Sequence, residues 1–178
     1  MKLKLARNAG AVIRYHTVRT IRQQTLADHQ WNVVMILLWV FPEAPSHLLR
    51  AALMHDLPEY HTGDVPATAK WGHEPLAAAL EAAECDAWGM LGVTDPVAGL
   101  APDEKCLLKF CDGAELVLWC MEEGRMGNRF AAAPAARVLY RFRGVDFSNL
   151  PARTRELFNE LEREYTYVFG SQQETGWG

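Results

Sequence analysis

The sequence has no apolar run long enough to cross a membrane. Its longest fully apolar stretch, VVMILLWVF, covers nine residues at positions 33–41, whereas a membrane-spanning helix needs about 20. The first ten residues, MKLKLARNAG, lack the apolar centre and the cleavage site of a secretory signal peptide. We therefore expect a cytoplasmic protein with no membrane partner, in which the apolar run is a helix buried on nearly all sides.

Cysteine is scarce, and its spacing is not that of a disulfide framework. The four cysteines are Cys85, Cys106, Cys111 and Cys120. None forms a C-x-x-C pair, and three of them fall within one predicted helix. We expect them to be reduced and buried, serving as small apolar groups.

The chain also lacks the excess positive charge of a nucleic-acid-binding protein. Its net charge is −4, so no stable binding to nucleic acid is expected. Acidic residues are nevertheless absent from residues 1–27, which hold six basic ones. Two interpretations remain open, a solvated basic face and a set of arginines that meet an anion, and composition alone favours the first.

No alternating pattern of a β-strand is present, and helix signals dominate instead. The segment TLAD, residues 25–28, resembles a capping box and opens a helix that Pro42 stops near Phe41. Ser46 can cap the next helix, whereas TGDVPATAK is predicted to form a loop. Later helices are predicted at LAAALEAAECDAWGML, DEKCLLKFCDGAELVLWCMEE, FAAAPAARVLYRF and ARTRELFNELEREYTYVF. The prediction is an all-α fold with about six or seven helices in one domain, residues 1–170, followed by a mobile tail at 171–178.

Four side chains in three separate segments have the chemistry of metal ligands. His55 and Asp56 are adjacent at the end of a predicted helix, and they can converge on one ion because imidazole reaches further than a short carboxylate. Two ligands leave a divalent cation under-coordinated. His29 lies in the first turn of its helix, and Asp112 lies among apolar residues where an unpaired buried carboxylate would be costly. Each of the four has an ordinary structural interpretation when taken singly, but the complete set suits Zn, Co, Mn or Mg.

The order of these residues resembles the HD-domain phosphohydrolases, whose signature is His, then His-Asp, then Asp. The matching stretches are VRTIRQQTLADHQWNVV, HDLPEYHTGDVPATAK and LLKFCDGAELVLWCMEEGRMGN. The second repeats a family pattern of His-Asp, Glu three residues on, T-G-D-x-P and Lys, and the third contains K-x-x-D and C-x-E-E. The resemblance covers roughly residues 5–145. It is greatest to small bacterial 5′-deoxynucleotidases and to phage enzymes that hydrolyse deoxynucleoside triphosphates.

The resemblance implies a fold, a cofactor and two catalytic residues. It implies one HD-domain helical bundle that forms a homo-oligomer, located in the host cytoplasm if a phage encodes it. The four ligand candidates would hold a divalent metal. Glu59 would orient or deprotonate the attacking water, whose pKa the metal lowers. Asp64 matches a family Asp that helps to move a proton to the leaving 5′-oxygen, although an Asp after Gly is commonly a turn residue.

The resemblance also implies substrate-binding residues. Arg14, placed at the end of the first predicted helix, would contact phosphate, and Tyr15 stands where the family has a Trp near the base. Tyr15 could stack on a nucleobase, and Pro66 would form the other wall of the base pocket. Lys70 resembles a phosphate-binding Lys, and Lys109 is a further phosphate candidate. Solvent exposure is the alternative interpretation of each basic residue.

Three functions compete at this point. The first is a deoxynucleoside triphosphate triphosphohydrolase, in which metal-bound water attacks the α-phosphorus and dATP yields deoxyadenosine and triphosphate. The second is a 5′-deoxynucleotidase that removes phosphate from deoxynucleoside monophosphates. The third is a nucleotide-binding helical domain without turnover. The positive charge at Arg14, Lys70 and Lys109 favours the first, and the presence of both Glu59 and Asp64 disfavours the third.

Overall fold

Helices form nearly all of the regular structure. The computed structural model describes residues 2–170, apart from the side chains of residues 67, 68 and 71, and the predicted tail at 171–178 lies outside the described residues. The described helices are α1 (Lys2–Ala9), α2 (Leu26–Val40), α3 (Ser46–Met54), α4 (Glu59–Thr62), α5 (Ala67–Gly72), α6 (Glu74–Leu91), α7 (Pro102–Arg125), α8 (Ala132–Phe142) and α9 (Ala152–Phe169). Seven of these have eight residues or more, and the only β-type pairing among residues 2–170 is an isolated bridge between Ile13 and Thr25. The all-α prediction is confirmed, while the single domain over residues 1–170 stays a prediction.

The start of α2 follows from a local signal in the sequence. The Thr25 hydroxyl accepts a hydrogen bond from the Asp28 N–H at 3.2 Å, and Asp28 Oδ2 accepts one from the Thr25 N–H at 3.1 Å. This reciprocal cap, worth about 1 kcal/mol, fixes where α2 begins and therefore where His29 lies. The predicted cap at Ser46 is wrong, because Ser46 is the first residue of α3 and Pro45 precedes it.

Two segments differ from the sequence prediction. The first helix ends at Ala9, so Arg14 lies in the loop between α1 and α2 and not at a helix end. The helix does not continue to Arg14 because the two ends of the loop pair with each other. The Leu26 N–H donates a hydrogen bond to Val12 O at 2.8 Å, and the Arg14 N–H donates one to Gln24 O at 2.9 Å. The loop prediction for TGDVPATAK is also wrong in its second half, because residues 67–72 form α5, which packs on α6.

Helix α7 is the centre of the core and packs against α2, α3, α8 and α9. Its buried apolar residues are Leu107, Leu108, Phe110, Cys111, Ala114, Val117, Trp119, Cys120 and Met121. Burying side chains of this size stabilises the fold by about 1.5–3 kcal/mol each. All four cysteines are free, and the prediction that they are buried is wrong for Cys85, which is exposed, and for Cys106, which is only partly buried.

Helix α8 approaches α7 closely at Gly113. A Cβ at this position would lie 2.8 Å from Phe142 Cζ and 3.0 Å from Val138 Cγ1, closer than real Cβ contacts allow. The missing side chain therefore permits the close packing of α8 beside Asp112, the next residue along α7.

A second, smaller apolar cluster joins α1 and α6 to the turn after α3. It consists of Ala9, Leu26, Leu57, Trp88 and Leu91. Leu57 directly follows His55 and Asp56, so the cluster fixes the turn that carries both side chains.

No helix among residues 2–170 combines the length and the apolarity that crossing a bilayer requires. The cytoplasmic location stays a prediction.

Candidate active site

The four predicted ligands meet at one point between three helices. His29 comes from α2, His55 and Asp56 follow α3, and Asp112 comes from the middle of α7, and one ligand atom from each lies within 4.8 Å of the others. His29 Nε2 is 3.4 Å from Asp56 Oδ2 and 3.2 Å from Asp112 Oδ1. His55 Nε2 is 3.4 Å from the same Asp56 oxygen and 3.9 Å from the Asp112 oxygen. Metal–ligand bonds of about 2.1 Å place tetrahedral ligands roughly 3.4 Å apart, so these separations fit one divalent cation.

The hydrogen bonds of the two imidazoles direct both Nε2 atoms toward this point. The His55 Nδ1–H donates to the Ala52 carbonyl oxygen at 2.9 Å, and His29 Nδ1 lies 2.6 Å from Glu115 Oε2. With Nδ1 engaged in this way, Nε2 offers its lone pair to a metal. Both Nε2 atoms are buried and have no hydrogen-bond partner in the part of the chain that the structure describes. Two orphaned buried nitrogens beside two carboxylates fit a bound cation.

The electrostatics of the cluster also favour a bound cation. Burial lowers the pKa of His29, but Asp112, Asp56 and Glu115 outweigh it and raise the pKa well above its usual value. Burial lowers the pKa of His55 as well, but Asp56 and Asp112 outweigh this effect and raise the pKa. Partial removal from water opposes the ionisation of Asp56 and Asp112, yet the two imidazoles hold the pKa of both carboxyls below the usual range. The site stabilises positive charge, which a divalent cation would supply in place of the imidazole protons.

Glu115 is a functional residue that the sequence analysis missed. Its side chain is 3% exposed, and it holds His29 through Oε2 while Oε1 accepts a hydrogen bond from Gln24 Nε2 at 2.7 Å. Glu115 therefore orients one ligand and also ties the end of the α1–α2 loop to α7. Its spacing could have identified it, because Glu115 lies three residues after Asp112, on the same face of the helix.

Changing Glu115 to Gln is expected to weaken metal binding without unfolding the protein. The amide retains one acceptor, but it loses the charge that supports His29 and cannot serve His29 and Gln24 equally. Removing such a partner of a metal-binding His costs about 10–100-fold in metal affinity. Competition with a chromophoric chelator measures the zinc dissociation constant. Glu160→Gln on the exposed face of α9 is the matched control, and equal affinity of the two variants would contradict the role of Glu115.

The metal cluster opens into a cavity of about 540 Å³ whose wall contains Glu59 and Asp64. The prediction that Asp112 is buried is wrong, because its side chain is 42% exposed and faces this cavity. Glu59 is only 7% exposed, and its Oε2, 4.0 Å from Arg14 Nη1, has no hydrogen-bond partner among the described residues. Burial and the charge of Asp56 raise the pKa of Glu59 to about 9. Its protonation therefore responds to the charge of the neighbouring metal site.

Asp64 joins the cavity to the α1–α2 loop. Its Oδ2 accepts a hydrogen bond from the Tyr15 N–H at 3.1 Å. Tyr15 has φ 58, in the left-handed region that non-glycine residues adopt at a cost. Asp64 thus holds the backbone turn that places Arg14 in the cavity, in addition to any part it plays in proton transfer.

The predicted substrate residues are divided between the cavity and the surface. Arg14 and Lys70 line the cavity, and so does Pro66. Each of the two cations has a carboxylate partner, since Arg14 Nη1 donates to Asp56 Oδ2 at 3.0 Å and Lys70 Nζ lies 3.4 Å from Glu84 Oε1. Lys109 is exposed on α7 and is not part of the cavity wall.

Tyr15 has a different environment from the one expected. Its ring stacks on Trp119, with centroids 4.4 Å apart and planes inclined by 19°, and the Arg14 guanidinium lies over the ring at 5.6 Å. Although Tyr15 forms part of the cavity wall, its ring already has these partners. These contacts give Tyr15 a supporting position beneath Arg14, and its stacking on a nucleobase stays a prediction.

Glu123 holds the opposite side of the α1–α2 loop. This fully buried carboxylate accepts hydrogen bonds from the Ile21 N–H at 2.6 Å, the Arg22 N–H at 3.1 Å and Asn128 Nδ2 at 2.8 Å. Burial alone would raise the pKa of Glu123, but these donors lower it. Arg22 also forms an ion pair with Glu122 at 2.9 Å, so it belongs to this anchor. The C-x-E-E motif therefore fixes the loop.

The comparisons with known proteins agree with this arrangement. The sequence profile described as HD domain matches residues 11–92, which include His29, His55, Asp56 and Glu59. The chain belongs to the HD domain family. Among individual proteins, a dATP triphosphohydrolase of cyanophage S-2L is 34% identical over 123 residues, covering 65% of this chain and 67% of that protein.

Solved structures share the fold. The cyanophage S-2L HD phosphohydrolase DatZ, bound to dA and one catalytic Zn²⁺ ion, matches with a TM-score of 0.66 at 24% identity over 92% of this chain and 96% of that one. A conserved hypothetical protein from Pyrococcus furiosus matches with a TM-score of 0.71 at 20% identity, covering 91% of this chain and 98% of that one. An HD-domain phosphohydrolase from Listeria innocua matches with a TM-score of 0.69 at 15% identity, covering 93% and 88% of the two chains. The predicted HD-domain helical fold is confirmed.

Proposed function

We propose that this protein is a metal-dependent triphosphohydrolase that converts dATP to deoxyadenosine and triphosphate. The observation that carries the proposal is the pair of orphaned Nε2 atoms of His29 and His55, held beside Asp56 and Asp112 in the wall of a cavity that also contains Glu59. We infer dATP as the substrate from the cyanophage S-2L relative, which is a dATP triphosphohydrolase.

The four ligands would hold a divalent cation, which when bound polarises phosphate oxygens and lowers the pKa of a coordinated water. Glu59, whose pKa a nearby cation would lower, would accept the proton of the attacking water at Oε2, the atom without a partner among the described residues. Attack on the α-phosphorus forms a new P–O bond and breaks the bond to the 5′-oxygen. Asp64, in the same cavity, would help to return a proton to that oxygen. The products are deoxyadenosine and inorganic triphosphate.

Phosphate and base would occupy different walls of the cavity. Arg14 lies beside Asp56 and would contact the phosphate that is attacked, through the forked guanidinium geometry that suits phosphate. Lys70 would add a second positive charge once it exchanges Glu84 for the substrate. Pro66 would form part of the base wall, and Lys109 stays a candidate for phosphate only from outside the cavity.

The alternative within the same chemistry is a 5′-deoxynucleotidase. Arg14 and Lys70 are each compensated by a carboxylate, and this favours a substrate with less charge than a triphosphate. The non-catalytic nucleotide-binding domain has weaker support, because both Glu59 and Asp64 face the cavity.

Product analysis is expected to separate these functions. Purified protein is incubated with each dNTP and each dNMP plus Mn, Co, Mg or Zn, and the products are separated by chromatography. We expect dATP to give equal amounts of deoxyadenosine and triphosphate, with Asp56→Ala as the control for contaminating phosphatases. Orthophosphate from dAMP with no product from dATP would establish the nucleotidase, and no product from any compound would establish the non-catalytic domain.

The predicted homo-oligomer has support from one exposed apolar stripe. Trp31, Met35 and Trp39 repeat every four residues on α2 and are 62%, 46% and 45% exposed. Aromatic residues and Met are enriched at the buried centres of protein interfaces. We propose that this stripe contacts another copy of the chain, and the absence of stable nucleic-acid binding stays a prediction based on net charge.

A further inference from the structure

Three cations line the cavity, and they differ in what balances their charge. Arg14 is paired with Asp56, and Lys70 is paired with Glu84. The third is Arg137, which the sequence analysis did not identify. Its guanidinium has no hydrogen bond or ion pair with any residue that the structure describes, so its charge is available to a ligand.

The packing of α8 directs one of its faces toward the cavity. Pro134, Arg137 and Val138 have the i, i+3, i+4 spacing of a single helix face, and all three are part of the cavity wall. Gly113 brings this face close to α7, because Val138 Cγ1 would lie only 3.0 Å from a Cβ at that position. Arg137 therefore extends from a helix that is held against α7 by close backbone packing and not from a flexible loop.

Arg137 also lies where the cavity meets the outer surface. It contributes to a second, more open groove of about 840 Å³ between α8 and α9, which includes Tyr140, Arg143 and Tyr165. The other groups of the metal cavity do not reach this groove. Arg137 is thus the residue that the cavity and the more open groove share.

We propose that Arg137 binds the phosphates beyond the one that is attacked, and so selects nucleoside triphosphates over monophosphates. This inference rests on the proposed function, since the α-phosphate must lie at the metal ligands. A monophosphate held there ends near Arg14, whereas a polyphosphate chain continues along the wall toward the open groove. Arg137 meets that chain with a planar fork of donors that suits two phosphate oxygens.

Arg137 suits this selection better than Lys70. Lys70 must give up Glu84 to bind substrate, and the lost pair offsets part of the gain. Arg137 loses only water, because no described carboxylate competes for it. A bidentate, charge-assisted contact between arginine and a phosphate group changes the binding affinity by about 10–100-fold.

The test compares Arg137→Ala with Arg163→Ala. Arg163 is an exposed arginine of α9 that belongs to neither the cavity nor the groove. For Arg137→Ala we expect kcat/KM for dATP to fall by about 10–100-fold, while that for dAMP stays within about twofold. Titration calorimetry of the metal-loaded protein is expected to show the same loss for inorganic triphosphate and none for orthophosphate. Arg137→Lys should restore only part of the loss, because an ammonium group lacks the fork.

The outcomes separate the two proposals. If wild-type protein gives no triphosphate from dATP, the proposed function fails, and binding of inorganic triphosphate alone then decides the role of Arg137. If Arg137→Ala binds inorganic triphosphate as tightly as the wild type, or weakens orthophosphate equally, the inference is overturned even where dATP is hydrolysed. Arg163→Ala should match the wild type in every assay, and a parallel loss in that variant would assign the effect to overall surface charge.

Discussion

Replacing Asp56 with Ala is expected to abolish metal binding and hydrolysis together. Asp56 Oδ2 lies 3.4 Å from the Nε2 atoms of both His29 and His55, so a single oxygen of Asp56 bridges the two imidazoles. The same oxygen accepts a hydrogen bond from Arg14 at 3.0 Å. Its removal leaves three ligands and a guanidinium that has lost its closest carboxylate, which repels a cation. Metal affinity should fall on the order of 1,000-fold, since each ligand carries a large share of the binding free energy.

Metal content and activity are measured on the same sample. Inductively coupled plasma mass spectrometry gives the metal bound per chain after dialysis, and chromatography gives the rate. Asp86→Ala, an exposed position on α6, is the matched control and should keep both. Circular dichroism separates loss of the site from loss of the fold. An Asp56→Ala protein that retains one metal per chain would remove Asp56 from the ligand set.

Replacing Glu59 with Gln is expected to leave the metal in place and to remove most of the turnover. Glu59 is not among the four clustered ligands, and its Oε2 has no hydrogen-bond partner among the described residues. Gln keeps the size of the side chain but cannot accept a proton from water. General-base catalysis contributes about 100–10,000-fold to a rate, so kcat should fall within that range.

The Glu59→Gln measurement pairs kcat with the zinc dissociation constant. Glu160→Gln on α9 changes the same functional group at an exposed position and should keep the wild-type kcat. A Glu59→Gln variant with wild-type turnover would refute the role of Glu59 as base. Loss of metal in parallel with activity would instead make Glu59 a part of the binding site.

The sequence predicted the helices and the ligands because both depend on local or strongly patterned signals. The capping box at Thr25 set the start of α2, and the order of His29, His55, Asp56 and Asp112 predicted a ligand set whose members lie together in the structure. The features that were not predicted depend on contacts between distant segments. Arg14 lies outside the first helix because the two ends of the loop pair with each other, and the hydrophobic periodicity of the sequence does not predict such a pairing.

Three features of the site were missed for the same reason. Glu115 is an ordinary helical Glu until α2 brings His29 within 2.6 Å of it. Asp112 is flanked by apolar neighbours, yet its own direction on α7 opens it to the cavity. Arg137 reaches the cavity only because Gly113 lets α8 pack closely on α7. Each follows from the packing of one helix on another, and only the position of Glu115, three residues after Asp112, left a signal in the sequence.

The central claim is that four side chains from α2, α7 and the turn after α3 hold one divalent cation. Anomalous X-ray scattering from crystals grown with zinc, collected on both sides of the zinc absorption edge, tests it most directly. We predict one strong peak within about 2.0–2.2 Å of His29 Nε2, His55 Nε2 and an oxygen of both Asp56 and Asp112. A peak bound by other residues, or no peak among these four, would contradict the account.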